Sequence, residues 1–157
     1  MLRKNNFMLR ALKQASKAYG ADEVPVGAVI VDSKTNQVIA QAYNLTIKNS
    51  DPLSHAEITA IRKAAKSRGS PYLSECDLYV TLEPCPMCAY AISLAKIRRL
   101  YFGAFDKKTG GVENGPRIFS NSCAHHKPEI YGGIMEKEAK EMLQNFFREL
   151  RDKDRST

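Results

Sequence analysis

Apolar residues recur along the chain with two different periods, which divide it into helices and strands. In Leu2–Tyr19, apolar residues are spaced three and four positions apart with basic residues between them, which predicts a helix packed on the core. The apolar, β-branched run Val24–Val31 predicts a buried strand. Turn residues at 32–36 followed by Gln37–Tyr43 predict that this strand belongs to a hairpin.

The second half of the chain continues to alternate strand and helix patterns. Ser54 followed by Glu57 has the form of a capping box, so we expect Ser54 to cap a helix. Pro84 is expected to open the next helix, because proline is tolerated in a first turn. The predicted elements are helix His55–Ser67, strand Leu78–Leu82, helix Cys85–Lys96, strand Arg99–Phe102, strand Glu129–Gly132 and helix Met135–Asp152. This alternation favours an α/β sandwich, and the length favours one domain over residues 1–157.

The composition is that of a folded protein with a basic surface. Hydrophobic residues make up 43% and charged residues 26% of the 157, which argues against wholesale disorder. The formal net charge of +7 fits simple solubility, and it also fits a polyanionic partner such as nucleic acid. The first ten residues hold no long apolar run, and no stretch of about eighteen apolar residues occurs. We therefore expect no secretion signal, no membrane span and a cytoplasmic location.

Cys85 and Cys88 are the first candidates for chemistry. Residues three apart share a helix face, and the positive end of the helix dipole favours the thiolate that binds zinc. His55 would add one imidazole, and three ligands leave the fourth zinc position open to water, as in catalytic sites. A CxxC pair is also typical of thioredoxin-like redox sites or of packed core thiols. A structural zinc site would need a fourth ligand, for which the candidates are Cys76, Cys123, His125 and His126.

Glu57 favours catalysis over a purely structural metal. A carboxylate beside an activated water can take its proton and deliver it to a substrate, which contributes typically ~10²–10⁴-fold in rate. The competing interpretation is that Glu57 only caps the helix together with Ser54. Ideal helix geometry does not place Glu57 and His55 on the same face, because residues two apart diverge.

The two motifs together match the H-x-E…P-C-x-x-C signature of zinc-dependent base deaminases: His55-Ala56-Glu57 and Pro84-Cys85-Pro86-Met87-Cys88. Over nearly its whole length the chain resembles the bacterial tRNA-specific adenosine deaminases. The further segments that carry this resemblance are VPVGAV at 24–29, Asn44, Asp51-Pro52, TLEP at 81–84, FGA at 102–104, DKKTG at 106–110 and Phe146-Phe147-Arg148.

The resemblance implies a three-layer α/β/α sandwich with a five-stranded mixed sheet, of the cytidine-deaminase-like class. It implies one Zn²⁺ per subunit, a homodimer, and conversion of adenosine to inosine at the wobble position in the anticodon loop of a tRNA. It further implies that Asn44 and the backbone of Ala56 hold the purine edge, that Asp106 touches the RNA backbone, and that Phe147 lines the RNA-binding side.

Simpler interpretations remain open for these contacts and for the activity. Asn44 could be an ordinary turn residue, Asp106 an Asx turn and Phe147 a core residue. The same zinc site would serve a deaminase of a free base or nucleoside, such as cytosine, guanine or cytidine. Non-deaminase alternatives are a zinc-stabilised RNA-binding module and a CxxC oxidoreductase.

Overall fold

The computed structural model describes residues 2–157, which form four α-helices, five strands and one 3₁₀ turn. In chain order these are α1 (Leu2–Gly20), β1 (Gly27–Asp32), β2 (Val38–Tyr43), α2 (Ala56–Arg68), β3 (Cys76–Leu82), α3 (Pro86–Leu94), β4 (Arg99–Ala104), the 3₁₀ turn Ile118–Ser120, β5 (Glu129–Tyr131) and α4 (Glu136–Arg155). None of the helices in this range is long and apolar enough to cross a membrane.

The five strands form one mixed sheet in the order β2-β1-β3-β4-β5. Strand β1 pairs antiparallel with both β2 and β3, whereas β3-β4 and β4-β5 are parallel. Because β1 runs against its neighbours, its first residues lie beside the last residues of β2 and β3. One edge of the sheet therefore collects the loops that follow β2, β3 and β4.

Helices cover both faces of the sheet, which confirms the predicted three-layer sandwich. Alternate residues of β1 point to opposite sides: Ala28 and Ile30 join the core under α2 and α3, and Val29 and Val31 join the core under α1 and α4. All six residues of β1 are buried, as a strand covered on both faces requires. The prediction of one domain over residues 1–157 stays a prediction, and its first residue, Met1, lies outside the described residues.

The residues predicted to cap α2 and to open α3 have other roles in the structure. Helix α3 begins at Pro86, with Cys85 as its N-cap, so Pro86 and not Pro84 occupies the first turn. Helix α2 begins at Ala56 with His55 as its N-cap, and no side chain caps it. Ser54 instead donates its hydroxyl to Asp51 Oδ2 at 2.8 Å. The predicted capping box is therefore absent, because the hydroxyl of Ser54 is bonded to Asp51 and the side chain of Glu57 is not used to cap α2.

Gly27 sets how closely α1 can approach the sheet. A Cβ at this position would collide with the backbone carbonyl of Ala11 and would come within 2.5 Å of the backbone nitrogen of Ala15. Neither atom can move without shifting α1. The helix therefore packs directly on the first residue of β1, at the sheet edge that carries the loops.

We predict that Gly27→Ala lowers the free energy of unfolding by about 3 kcal/mol, because overpacking a rigid site displaces a whole element. Urea denaturation of the purified variant measures this change. Gly20→Ala is the matched control, since a Cβ at Gly20 meets no atom within 4 Å, and the expected change is below ~1 kcal/mol. Equal stabilities for the two variants would contradict the close packing of α1.

Candidate metal centre and its pocket

Two helix N-termini meet at the loop-bearing edge of the sheet and present the predicted metal ligands. His55 precedes α2 and Cys85 precedes α3, both in extended backbone conformation, while Cys88 lies in the first turn of α3. The ligand atoms of these three residues all lie within 4.8 Å of one another. The structure thus brings together residues that are 30 and 33 positions apart in the chain.

The spacing of these atoms fits a tetrahedral zinc ion. Nδ1 of His55 lies 3.6 Å from Sγ of Cys85 and 3.5 Å from Sγ of Cys88. A nitrogen at ~2.0 Å and a sulfur at ~2.3 Å from zinc, at the tetrahedral angle, are roughly 3.6 Å apart. One imidazole and two thiols are also a donor set that zinc prefers. The residues present therefore fit the metal.

A fourth protein ligand is absent from this cluster among residues 2–157. Cys76 is buried at the start of β3, the opposite end of that strand from the cluster. Cys123 is exposed, and Nε2 of His126 lies 2.6 Å from the carbonyl of Ile97. The arrangement is thus the open, three-ligand type, which leaves a position for water.

The local electrostatics act in opposite directions on the two thiols, since the hydrogen bond with Cys85 and burial raise the pKa of Cys88. Hydrogen bonds from Cys88 and His55 lower the pKa of Cys85 to about 4, against the opposing effect of burial. The contact with Cys85 raises the pKa of His55 above its usual value. A pKa of about 4 favours the thiolate of Cys85 at neutral pH, which is the form that coordinates zinc.

Glu57 lies beside the ligand cluster without belonging to it. Its side chain is almost fully buried, at 4% exposed, and burial raises its pKa to about 7. His55 and Glu57 line the same pocket, although residues two apart in a helix diverge. The reason is that His55 precedes the helix with an extended backbone, so helical spacing does not separate the two side chains.

The pocket has a volume of about 240 Å³ and opens at the sheet edge. This is below the ~300–1,000 Å³ typical of pockets for drug-sized ligands. Its lining residues come from the segment before β1, the loop after β2, the start of α2 and the loops after β3 and β4; they include Val24, Val26, Asn44, Thr46, Ala56, Leu82 and Thr109.

Asn44 carries an unusual polar atom in this pocket. The side chain is only 7% exposed, and Nδ2 donates to the carbonyl of Val24 at 3.3 Å. Oδ1 is buried and has no hydrogen-bond partner within residues 2–157. A buried, unpaired carbonyl oxygen costs about 1–3 kcal/mol, so Asn44 is set to accept a hydrogen bond from a ligand.

Ala56, Asp106 and Phe147, the remaining predicted contacts, lie in different settings. Ala56 is fully buried and lines the pocket at the start of α2. Asp106 also lines the pocket, and its carboxylate accepts hydrogen bonds from the backbone of Lys108 and Thr109, so the Asx-turn interpretation is correct for its loop role. Phe147 is not a core residue, since it is 40% exposed on α4 and packs edge-on against Phe146.

Glu83 lines the pocket and fixes the loop after β4, a role that was not predicted from the sequence. Its buried carboxylate accepts hydrogen bonds from the backbone N–H groups of Asp106, Val112, Glu113 and Asn114 and from the side-chain amide of Asn114. A Cβ at Gly110 would collide with this carboxylate. The backbone of the loop after β4 is therefore fixed by hydrogen bonds to one buried carboxylate, that of Glu83.

Glu23 fixes the loop after β2 in the same way. Its carboxylate is 1% exposed and accepts the backbone N–H of Lys48 at 2.7 Å and that of Ile47 at 3.3 Å. These bonds fix the loop after Asn44. Glu23 precedes the apolar run Val24–Val31 and Glu83 follows the apolar run Leu78–Leu82, but hydrophobic periodicity alone does not distinguish a buried glutamate from an exposed one.

Comparisons with known proteins agree with this geometry. Residues 1–104 match the model of the cytidine and deoxycytidylate deaminase zinc-binding region. The chain is 50% identical to a tRNA-specific adenosine deaminase of Agrobacterium fabrum (strain C58 / ATCC 33970) over 151 residues, which cover 96% of this chain and 98% of the relative. A second relative of that name, from Rickettsia bellii (strain RML369-C), is 46% identical over 145 residues, which cover 92% of this chain and 100% of the relative.

A solved structure gives the same result at the level of the fold. It comes from a study of A-to-I editing by tRNA:A34 deaminases at the wobble position of transfer RNA. That chain superimposes with a TM-score of 0.85 at 51% identity, covering 88% of this chain and 99% of its own. The chain therefore belongs to the cytidine and deoxycytidylate deaminase family of zinc-dependent hydrolases, among the tRNA-specific adenosine deaminases.

Proposed function

We propose that this enzyme converts adenosine to inosine at the wobble position of a tRNA anticodon, with His55, Cys85 and Cys88 as zinc ligands and Glu57 as the proton carrier. The observation that carries the proposal is the meeting of three ligand atoms and a buried carboxylate in one small pocket. The identity with relatives named for this activity supports the choice of substrate.

The chemistry is the addition of water to C6 of adenine and the departure of ammonia. Zinc, when bound, lowers the pKa of water to about 7 and so supplies a nucleophile at neutral pH. Glu57 takes the proton that this water loses and delivers it to N1 of the base. Its pKa of about 7 suits both steps, because it can hold or release a proton near working pH. Glu57 then takes the proton of the hydroxyl group now on C6 and passes it to the exocyclic amine, so that the C6–N bond breaks, ammonia leaves and the C6 oxygen becomes the carbonyl of inosine.

Asn44 and Ala56 orient the base in this proposal. Oδ1 of Asn44 is an unused acceptor inside the pocket, and it would receive a hydrogen bond from the nucleoside. Ala56 lies at the first position of α2, where backbone N–H groups lack a partner within the helix. A donor and an acceptor on neighbouring walls give the pocket a way to select one edge of a purine.

The RNA has to present its base outside a stack, which a single-stranded anticodon loop does at low cost. Phe147, partly exposed on α4, offers a ring on which an unstacked base can lie. Asp106 would contact the RNA backbone from a loop that its own carboxylate already fixes. The net charge of +7 supplies attraction to phosphates.

A homodimer and a cytoplasmic location complete the proposal. Helix α3 leaves Leu94 62% exposed and Tyr90 38% exposed. Residues four apart share a helix face, so the two form an apolar patch on the helix that carries Cys88. A second copy of the chain would cover this patch. The cytoplasm is where tRNA and reduced cysteines occur together.

The function is tested by incubating zinc-loaded protein with an anticodon stem-loop that carries adenosine at the wobble position. We expect inosine at that position, because the pocket takes one base from a single-stranded loop. Nucleoside analysis of the digested RNA measures it. The parallel assay measures ammonia released from free cytosine, guanine and cytidine. Release from the free compounds with no inosine in the RNA would identify a free-base or nucleoside deaminase instead.

Glu57→Gln separates proton transfer from metal binding. We expect kcat to fall by about 10²–10⁴-fold, since the amide cannot carry the proton, while zinc content stays at one per chain. Inosine formation and metal analysis of the same sample measure the two quantities. Glu113→Gln is the matched control, because it makes the same change on the loop after β4, outside the pocket lining. Loss of zinc from Glu57→Gln would show that Glu57 is a ligand and not a proton carrier.

A further inference from the structure

A second cavity lies on the α1 side of the sheet, between α1 and the edge strand β2. Its volume is about 360 Å³, and its lining includes Arg10, Lys13, Gln14 and Lys17 from α1 and Gln41 from β2. We call these five residues the α1 groove. No residue of the groove lines the deaminase pocket, so the two sites are separate.

The groove concentrates positive charge without compensation. Arg10, Lys13 and Lys17 are exposed and follow one another along one side of α1. Among the described residues 2–157, none of the three forms an ion pair with a carboxylate, and the groove lining contains no acidic residue. Three unpaired cations around one cavity repel each other and are stabilised by a bound anion.

Gln14 adds an observation that charge alone does not provide. Its side chain is only 5% exposed, yet within the described part of the chain its amide has no hydrogen-bond partner, and it lines the floor of the groove. Oδ1 of Asn44 is the one fully buried side-chain polar atom without a partner among residues 2–157, so the amide of Gln14 is open to the groove. The amide can donate two hydrogen bonds to an oxygen-rich ligand.

The groove begins close to the deaminase pocket. Gln41 on β2 precedes Asn44 by three residues, which corresponds to about 10 Å of extended chain. The side chain of Gln14 packs beside Gly27, the residue opposite Tyr43 in the sheet. Neighbouring phosphates of a single strand are several ångströms apart, so an RNA whose base occupies the pocket has backbone within reach of the groove.

We propose that the α1 groove binds phosphates of the RNA backbone, as a contact site separate from the deaminase pocket. The inference rests on the proposed function for its choice of RNA. Arg10, Lys13 and Lys17 neutralise phosphate charge, and Gln14 donates to a phosphate oxygen at the floor of the groove. The site adds affinity for whole tRNA and takes no part in the chemical step.

The test is the double variant Arg10→Gln, Lys13→Gln, measured with full-length tRNA by fluorescence titration over a range of salt concentrations. We expect Kd to rise about tenfold near 0.1 M salt. The plot of the logarithm of the association constant against the logarithm of the salt concentration should become less steep by about 1.5, since each lost phosphate contact removes roughly 0.7–0.9 from the magnitude of its slope. kcat for inosine formation should not change. Gln14→Leu should raise Kd severalfold without changing the slope.

The matched control is Lys34→Gln, Lys127→Gln, which removes the same net charge from exposed positions at the opposite end of the sheet. We expect its Kd and salt slope to equal those of the unaltered protein. Thermal melting of each variant confirms that it is folded. Equal effects of the groove and control variants would overturn the proposal, because attraction would then depend on total charge alone.

Inorganic phosphate distinguishes a groove for RNA from a groove for a small free anion. If phosphate raises the melting temperature of the unaltered protein but not of the groove variant, while both bind tRNA equally, the RNA proposal is overturned. If the unaltered protein forms no inosine yet the groove variant still loses tRNA affinity, the proposed substrate fails and the groove stands as an RNA site.

Discussion

Everything in this site depends on holding one nitrogen 3.5–3.6 Å from each of two sulfurs while leaving one direction open. The chain achieves this by starting two helices at the same edge of a sheet and by placing His55 and Cys85 just before those helices. Extended backbone at both N-caps turns the side chains toward one point. If His55 lay inside α2, it would occupy a fixed helical face, and Glu57, two residues later, could then not share the pocket with it.

Buried anions stabilise the parts of the pocket that are not regular structure. Glu23 and Glu83 each gather backbone N–H groups of a loop onto one carboxylate. Loops of this kind carry function because a rigid scaffold presents them. Asn44 shows the opposite state, with a buried oxygen left unpaired within residues 2–157. The carboxylates of Glu23 and Glu83, which shape the site, have hydrogen-bond partners within the protein. Oδ1 of Asn44, which faces the ligand, does not.

The alternating apolar patterns predicted an α/β sandwich, the two motifs predicted the ligand set, and the family resemblance implied the three layers and the mixed sheet. Apolar periodicity marks the elements, and the Cys85–Cys88 spacing marks a metal. The hydrogen bond from Ser54 to Asp51 was not predicted. The hydroxyl of Ser54 could equally have capped α2 together with Glu57, and the sequence suits both arrangements. The roles of Glu23 and Glu83 depend on loops more than twenty residues away, and no local pattern records such contacts.

X-ray absorption at the zinc edge of the purified protein tests the central claim most directly. An open three-ligand centre predicts two sulfurs at about 2.3 Å, two lighter atoms at about 2.0–2.1 Å, and outer-shell scattering from a single imidazole. A third sulfur or a second imidazole in the spectrum would mean a closed structural site, and the geometry described for His55, Cys85 and Cys88 would then not be that of a catalyst.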